Sequence, residues 1–219
     1  MPDALDLSRV RADYLRAQLG GDRREALRIV IDDGLARGAS VLDVELAVIQ
    51  EAQREIGRLW QENVITVADE HMATAISNMA LSHLYDHARR APENGKKVVV
   101  ACVEGELHDF PARLVADALD LAGFEVRYLG ASVPADGLLA TLEREKPDLL
   151  ALSVTMTFNV PALRSAVVRV RGKSSVPIAV GGHACAWMTE LAADVGADAT
   201  ARDARELVAA ACRLLGVST

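Results

Sequence analysis

A chain of 219 residues is long enough for one large domain or two small ones. Hydrophobic residues make up 51% and charged residues 25%, a globular composition that excludes a disordered chain. Lys and Arg number 24 against 31 Asp and Glu; the formal charge of −7 has the wrong sign for a broad phosphate-binding face and argues against direct nucleic-acid binding.

The N-terminal stretch Met1 to Asp6 lacks a basic region followed by an apolar run. No segment approaches the roughly 18 continuous apolar residues of a membrane span. Cys102, Cys185 and Cys212 are odd in number and form no C-x-x-C pair, so neither a disulfide framework nor a zinc ribbon is expected. These features predict a cytoplasmic protein without membrane contact.

From Leu7 to about Arg90 apolar residues recur at three and four, as in Ala26, Ile29 and Val30 or Leu46, Ile49, Ile56 and Leu59, which is a helical stripe. Asp22 with Glu25, Ser40 with Asp43 and Thr66 with Asp69 each set a capping side chain three residues before a carboxylate. Together with a first helix near Leu7 to Leu19, they predict a four-helix bundle over residues 7–90. His83 and His87 are four apart on the fourth helix, but without an acidic or cysteine partner they read as a solvated face. Ala91 to Lys97 combines Pro, Gly and charge and reads as a linker.

Over residues 97–219 short apolar runs alternate with helix-length stretches. The runs are Val98 to Val103, Glu125 to Leu129, Leu149 to Ser153, Ile178 to Val180 and Asp198 to Thr200. This alternation predicts an α/β unit with a flavodoxin-like, doubly wound, five-stranded parallel sheet. Ligands of such sheets sit beyond the carboxyl ends of the strands. After the first run comes Glu104-Gly-Glu-Leu-His108-Asp-Phe-Pro111, an imidazole flanked by Glu106 and Asp109. A carboxylate on one ring nitrogen fixes the tautomer and raises the basicity of the other, which suits a metal ligand; a capping or solvated histidine is the plainer alternative. The third run closes in Ser153-Val-Thr155 and the fourth in Gly181-Gly182-His183, so three strand ends carry residues that can face one ligand. His183 and Cys185 either touch that ligand or line the turn. A mononucleotide is the alternative ligand.

On these residues the chain, from roughly Lys97 to Thr219, resembles the cobalamin-binding flavodoxin-like domain, whose pattern is D-x-H-x-x-G, then S-x-L or S-x-T, then G-G. The resemblance implies that His108 is the lower axial ligand of cobalt and that the nucleotide tail lies near Ser153, Thr155, Gly181 and Gly182. Glu106 stands where the pattern has Asp and can accept the same hydrogen bond, with Asp109 as a competing partner. Pro111 stands where the pattern has Gly and suits the first turn of the next helix.

Upstream, Trp60, nine intervening residues and Glu70-His71 look like the W-x9-E-H motif of adenosylcobalamin photoreceptors of the CarH and LitR kind. The plainer alternatives are a core tryptophan and a helix-dipole glutamate. The resemblance implies that Trp60 packs over the upper axial group, Glu70 contacts it, and His71 reaches cobalt after light removes it. The expectation is a non-enzymatic light-sensing protein carrying adenosylcobalamin, with biliverdin as a second chromophore if it resembles the photocobilins. Its output is expected to pass to an effector protein or through self-association, with a homo-oligomer expected. The alternatives are the corrinoid methyl-carrier subunit of a methyltransferase and a cofactor-free module on a receiver-like fold.

Overall fold

The computed structural model describes residues 5–218, and the chain divides into two compact units between Ala88 and Arg89. The first is helical. α1 (Leu7–Leu19) is followed by α2 (Arg23–Arg28), which continues through a π turn over Ile29–Gly34 and a 3-10 turn over Leu35–Arg37. α3 (Val41–Asp43) likewise runs through a π turn over Val44–Gln50 into α4 (Glu51–Gln61), and α5 spans Val67–Tyr85. The unit therefore has the four helical rods expected from periodicity. All three expected caps form: Asp22 accepts from the Glu25 amide and Ser40 from the Asp43 amide. Thr66 and Asp69 close a reciprocal capping box. The π turns have no counterpart in the apolar pattern. At the end of the first, an ideal Cβ on Gly34 would lie 3.1 Å from Val44 Cγ2, so a bare backbone lets the second and third rods approach.

Between these helices runs a buried polar chain. Gln18 Nε2 donates to Gln53 Oε1 (2.9 Å), to Ser77 Oγ (2.8 Å) and to the Ala73 carbonyl (3.1 Å). Tyr14 Oη shares a hydrogen bond with Ser77 Oγ at 3.1 Å. In a unit whose buried residues also include Ile29, Ile49 and Leu81, these directional bonds favour one register of packing.

In the second unit β1 (Lys97–Cys102), β2 (Glu125–Tyr128), β3 (Leu149–Ser153), β4 (Ile178–Gly181) and β5 (Ala199–Ala201) form one sheet in the order β2-β1-β3-β4-β5. Every pairing is parallel. The crossovers are α6 (Phe110–Leu121), α7 (Ala135–Glu145), α8 (Val160–Arg171) and the short α9 (His183–Trp187) with α10 (Leu191–Val195); α11 (Ala204–Leu215) follows β5. The flavodoxin-like expectation is met. Period-two side chains divide the core: Val98 and Val100 pack with Leu119, Phe124 and Leu207 on one face. Val99 and Ala101 pack with Leu138, Leu163 and Ile178 on the other. Burial on both faces is why these strands read as continuous apolar runs.

The expected linker is not loose. The Ala91 amide donates to the Leu121 carbonyl (2.8 Å), the Asn94 amide to the Gly123 carbonyl (2.9 Å), and Arg90 pairs with Asp120. Gly123 has φ +89, and a Cβ there would sit 2.2 Å from the Pro92 carbonyl oxygen, so the segment is laid against the α6–β2 turn. No described helix is long and apolar enough to cross a membrane.

Candidate functional site

The strand order reverses between β1 and β3, and that crevice is where an open parallel sheet receives a ligand. The loop leaving β1 turns sharply: the Glu106 amide bonds the Val103 carbonyl (3.0 Å), and Gly105 takes φ +82. This sends the Glu106 side chain inward, where it has no solvent exposure, and leaves the His108 side chain half exposed. Glu106 Oε1 accepts from the His108 backbone amide (3.0 Å) and meets His108 Nδ1 at 2.7 Å. Its Oε2 accepts from the amides of Thr155 and Met156 (2.9 Å each) and from Asn159 Nδ2 (3.0 Å). Burial opposes ionisation of this carboxyl, yet the hydrogen bonds outweigh it and hold its pKa at about 2. An ionised carboxylate only accepts, so Nδ1 carries a proton, and in the neutral ring the lone pair is on Nε2.

Asp109 is not drawn to the imidazole. Tyr128, at the end of β2, donates to Asp109 Oδ2 (3.1 Å) and to its carbonyl (3.2 Å). Burial first, then the Asp109 charge, push the phenol's pKa up, so it stays a donor. Cys102 sits beneath the loop. Its thiol is pushed up to about 12, by burial and then by Asp109 and Glu106, and its Sγ lies 3.9 Å from the His108 carbonyl. Pro111 lies in the first turn of α6, as its residue type suggested.

Ser153 ends β3 in register with Cys102 on one side and Gly181 on the other. Its hydroxyl is buried with no hydrogen-bond partner beyond the neighbouring Cys102 thiol, and the Thr155 hydroxyl is buried without any. Gly182 has φ +99, and a Cβ on it would lie 2.3 Å from the Val154 carbonyl oxygen and 2.7 Å from its carbon. Gly182→Ala is therefore expected to destabilise the sheet unit by about 2–4 kcal/mol, combining left-handed strain with a backbone clash. A denaturation midpoint equal to that of the wild type would contradict this. Cys185 packs against the apolar core, whereas His183 and Trp187 are exposed.

In the helical unit Trp60 is 37% exposed near the end of α4, and Glu70 and His71 lie in the first turns of α5. The three share one end of the α4–α5 hairpin, as their spacing suggested. His71 Nδ1 lies 2.6 Å from Glu70 Oε2, while Glu70 Oε1 accepts from Thr74 Oγ1 at 2.8 Å. Gln53 Nε2 in turn donates to Thr74 Oγ1 (2.7 Å), joining the pair to the buried polar chain. His83 is exposed on α5, and His87 lies in the turn beyond it. Among the described residues no group of three or more His, Cys, Asp or Glu side chains could enclose a metal ion. The partners that sequence reasoning missed are Asn159, the two amides beside it in the β3–α8 loop, and Tyr128.

Residues 96–212 match the family model described as the B12 binding domain, and residues 10–85 match a second model of the same description. Dimethylamine corrinoid protein 1 of Methanosarcina acetivorans is 31% identical over 190 residues, which cover 85% of this chain and 82% of that protein. The methanol–corrinoid protein of Methanosarcina barkeri is 28% identical over 128 residues, 58% of this chain and 50% of that one. The solved monomethylamine corrinoid protein of M. barkeri superposes with a TM-score of 0.84 at 21% identity, over 95% of this chain and 100% of that one, a likeness of fold. These relatives overturn the light-sensing expectation, since they are corrinoid proteins named for methylated amines and methanol. Of the residues that suggested it, Glu70 is engaged by Thr74 and His71, and the Trp60 carbonyl accepts from the Asn63 amide where α4 ends.

Proposed function

The chain belongs to the corrinoid proteins built on the B12 binding domain, and on that premise we propose that it is the corrinoid-carrying subunit of a methyltransferase system. In this reading cobalamin lies at the carboxyl edge of the sheet, with His108 as the lower axial ligand of cobalt. The observation that carries it is the fully buried, multiply bonded Glu106 behind a half-exposed imidazole. Such a carboxylate is the usual outer partner of a metal-bound histidine.

The remaining residues suit the same group. The buried Thr155 hydroxyl, without a partner, and the Ser153 hydroxyl, with only the Cys102 thiol beside it, can bond the polar tail of a corrinoid. Gly182 keeps a side chain out of the close approach to Val154 just beyond β3, and Gly181 out of the approach to the Ala201 carbonyl on β5. A bound corrinoid supplies a cobalt centre that takes up a methyl group and passes it on. The protein's part is to hold that centre: Glu106 fixes a proton on Nδ1 of His108, so that the neutral ring offers Nε2 to the metal, and Asp109 is kept aside by Tyr128. Partners are then the enzymes that load and unload the methyl group. The adenosyl group, the bilin and the post-light role of His71 belonged to the sensor expectation and go with it.

The test is reconstitution of the purified chain in darkness with hydroxocobalamin and with methylcobalamin, followed by absorption spectra before and after green light. Stoichiometric binding with a histidine-ligated spectrum, and no light response beyond that of free cofactor, is the expected result. Failure to bind either form would refute the proposal, and a light-driven change peculiar to the protein would refute the carrier role.

A further inference from the structure

The loop that carries His108 is also held from its β2 side, by a residue in a strained conformation. Beyond β2 the chain leaves its parallel pairing with β1 over Gly130, Ala131 and Ser132, then returns at Val133, which bridges to Val103. Gly130 has φ +80 and Ser132 φ +48. Glycine takes a left-handed φ freely; serine takes it with strain, and asparagine or aspartate takes it more readily. Among the described residues Asn63 and Lys146 share this φ, but each lies where a helix ends, an ordinary place for it. Ser132 ends no helix. Strain retained at the ligand-facing edge of a sheet points to a role there. That role is visible in two bonds: Ser132 Oγ accepts from the Gly105 amide (3.0 Å), and the Ser132 amide donates to the Glu106 carbonyl (2.9 Å).

Because β1 lies between β2 and β3, its loop is gripped from both neighbours. On the β3 side Thr155, Met156 and Asn159 hold the Glu106 side chain; on the β2 side Ser132 holds the peptide groups on either side of the Glu106 Cα. The Gly105 to Ser132 bond is exposed, so water can replace it with little effect on folding. Water cannot fix where the Glu106 backbone sits. From that position Oε1 reaches both the His108 amide and Nδ1 of its ring. We propose that Ser132 is a positioning residue for the axial ligand, fixing the loop from the β2 side so that the His108 ring is presented to cobalt in one orientation. This rests on the corrinoid reading and adds to it a residue from a loop that none of the sequence motifs includes.

Ser132→Gly separates positioning from folding, because it relieves the left-handed strain while removing the hydroxyl. In the full chain its denaturation midpoint should stay near that of the wild type. Without cofactor, exchange of the His108 amide, followed by NMR, should quicken about tenfold or more as the loop loosens. With hydroxocobalamin, affinity should fall roughly tenfold, and part of the bound cofactor should lack histidine ligation in its absorption spectrum. Ser132→Asn, which tolerates the same φ and keeps a side-chain acceptor, should recover slow exchange and the ligated spectrum; Ser132→Ala, which keeps the strain and loses the acceptor, should not. Wild-type affinity and spectrum in Ser132→Gly would overturn the assignment, whatever the exchange rate. So would an equal loss in Ser132→Asn, or a midpoint that falls in step with affinity in all three variants, which is the mark of a merely structural residue. If the wild type binds no corrinoid, it is the carrier reading that fails, and the His108 exchange rate still decides whether Ser132 holds the loop.

Discussion

Replacing Glu106 with Ala is expected to lower the stability of the sheet-bearing unit by about 3–5 kcal/mol, the scale of breaking a buried, hydrogen-bonded charge. The side chain has no solvent exposure, and its loss strands the amides of Thr155 and Met156 and the Asn159 amide group, each a buried or partly buried donor. A pH dependence follows from the same contacts. The folded pKa lies at about 2 against an ordinary 4.5, so the folded state binds its proton more weakly than the unfolded chain does. The stabilisation, about 3 kcal/mol, is fully present above about pH 4.5 and is lost as the pH falls through about 2. Asp148 and Asp198 are also depressed, burial being outweighed by backbone amides and a nearby cation, so the informative quantity is a difference between proteins. Denaturant unfolding from pH 7 to pH 2 should show the gap between wild type and Glu106→Ala narrowing across the acid range. A gap that stays constant would mean that Glu106 is not held ionised by these bonds.

Much of the fold is legible because its determinants are local. Asp22, Ser40 and Thr66 announce helix starts by spacing alone, and each cap forms where the spacing puts it. The strands β1, β3 and β4 betray themselves as apolar runs because both their faces are covered. The site is less legible, because its bonds join distant segments. Asn159 stands before a helix with a proline in its first turn and reads as a cap, but it makes no capping bond and reaches Glu106 instead, fifty-three positions away. The Thr155 and Met156 amides contribute through the backbone, which no residue type records. Asp109 looked like a rival for His108 by adjacency, and only the placement of β2 reveals Tyr128 as its partner. The error about function has a related cause. Trp60 and Glu70-His71 meet at one end of the α4–α5 hairpin, a placement that follows from two antiparallel helices and does not by itself specify light sensing.

The tautomer of His108 gives the sharpest separation between a ligand and a bystander. His108→Ala is expected to leave the fold nearly intact, because the ring is half exposed, while abolishing the histidine-ligated spectrum. Corrinoid affinity should fall by more than the roughly 10–100-fold that loss of an outer partner costs. Glu106→Gln probes the same bond without removing the ring. Its carbonyl oxygen can still accept from the Thr155 and Met156 amides, which directs the new amide N–H toward His108 Nδ1, now at 2.7 Å from a carboxylate oxygen. A donor there drives the proton to Nε2, the nitrogen assigned to cobalt, and a protonated Nε2 cannot coordinate. Glu106→Gln should therefore resemble His108→Ala in its spectrum although every ring atom is present. Addition of free imidazole should restore nitrogen coordination in His108→Ala, where the position is vacant, and should do so poorly in Glu106→Gln, where the misprotonated ring still occupies it. If Glu106→Gln keeps the wild-type spectrum, the carboxylate does not set the tautomer, and the buried Glu106 serves only to anchor the β3–α8 loop.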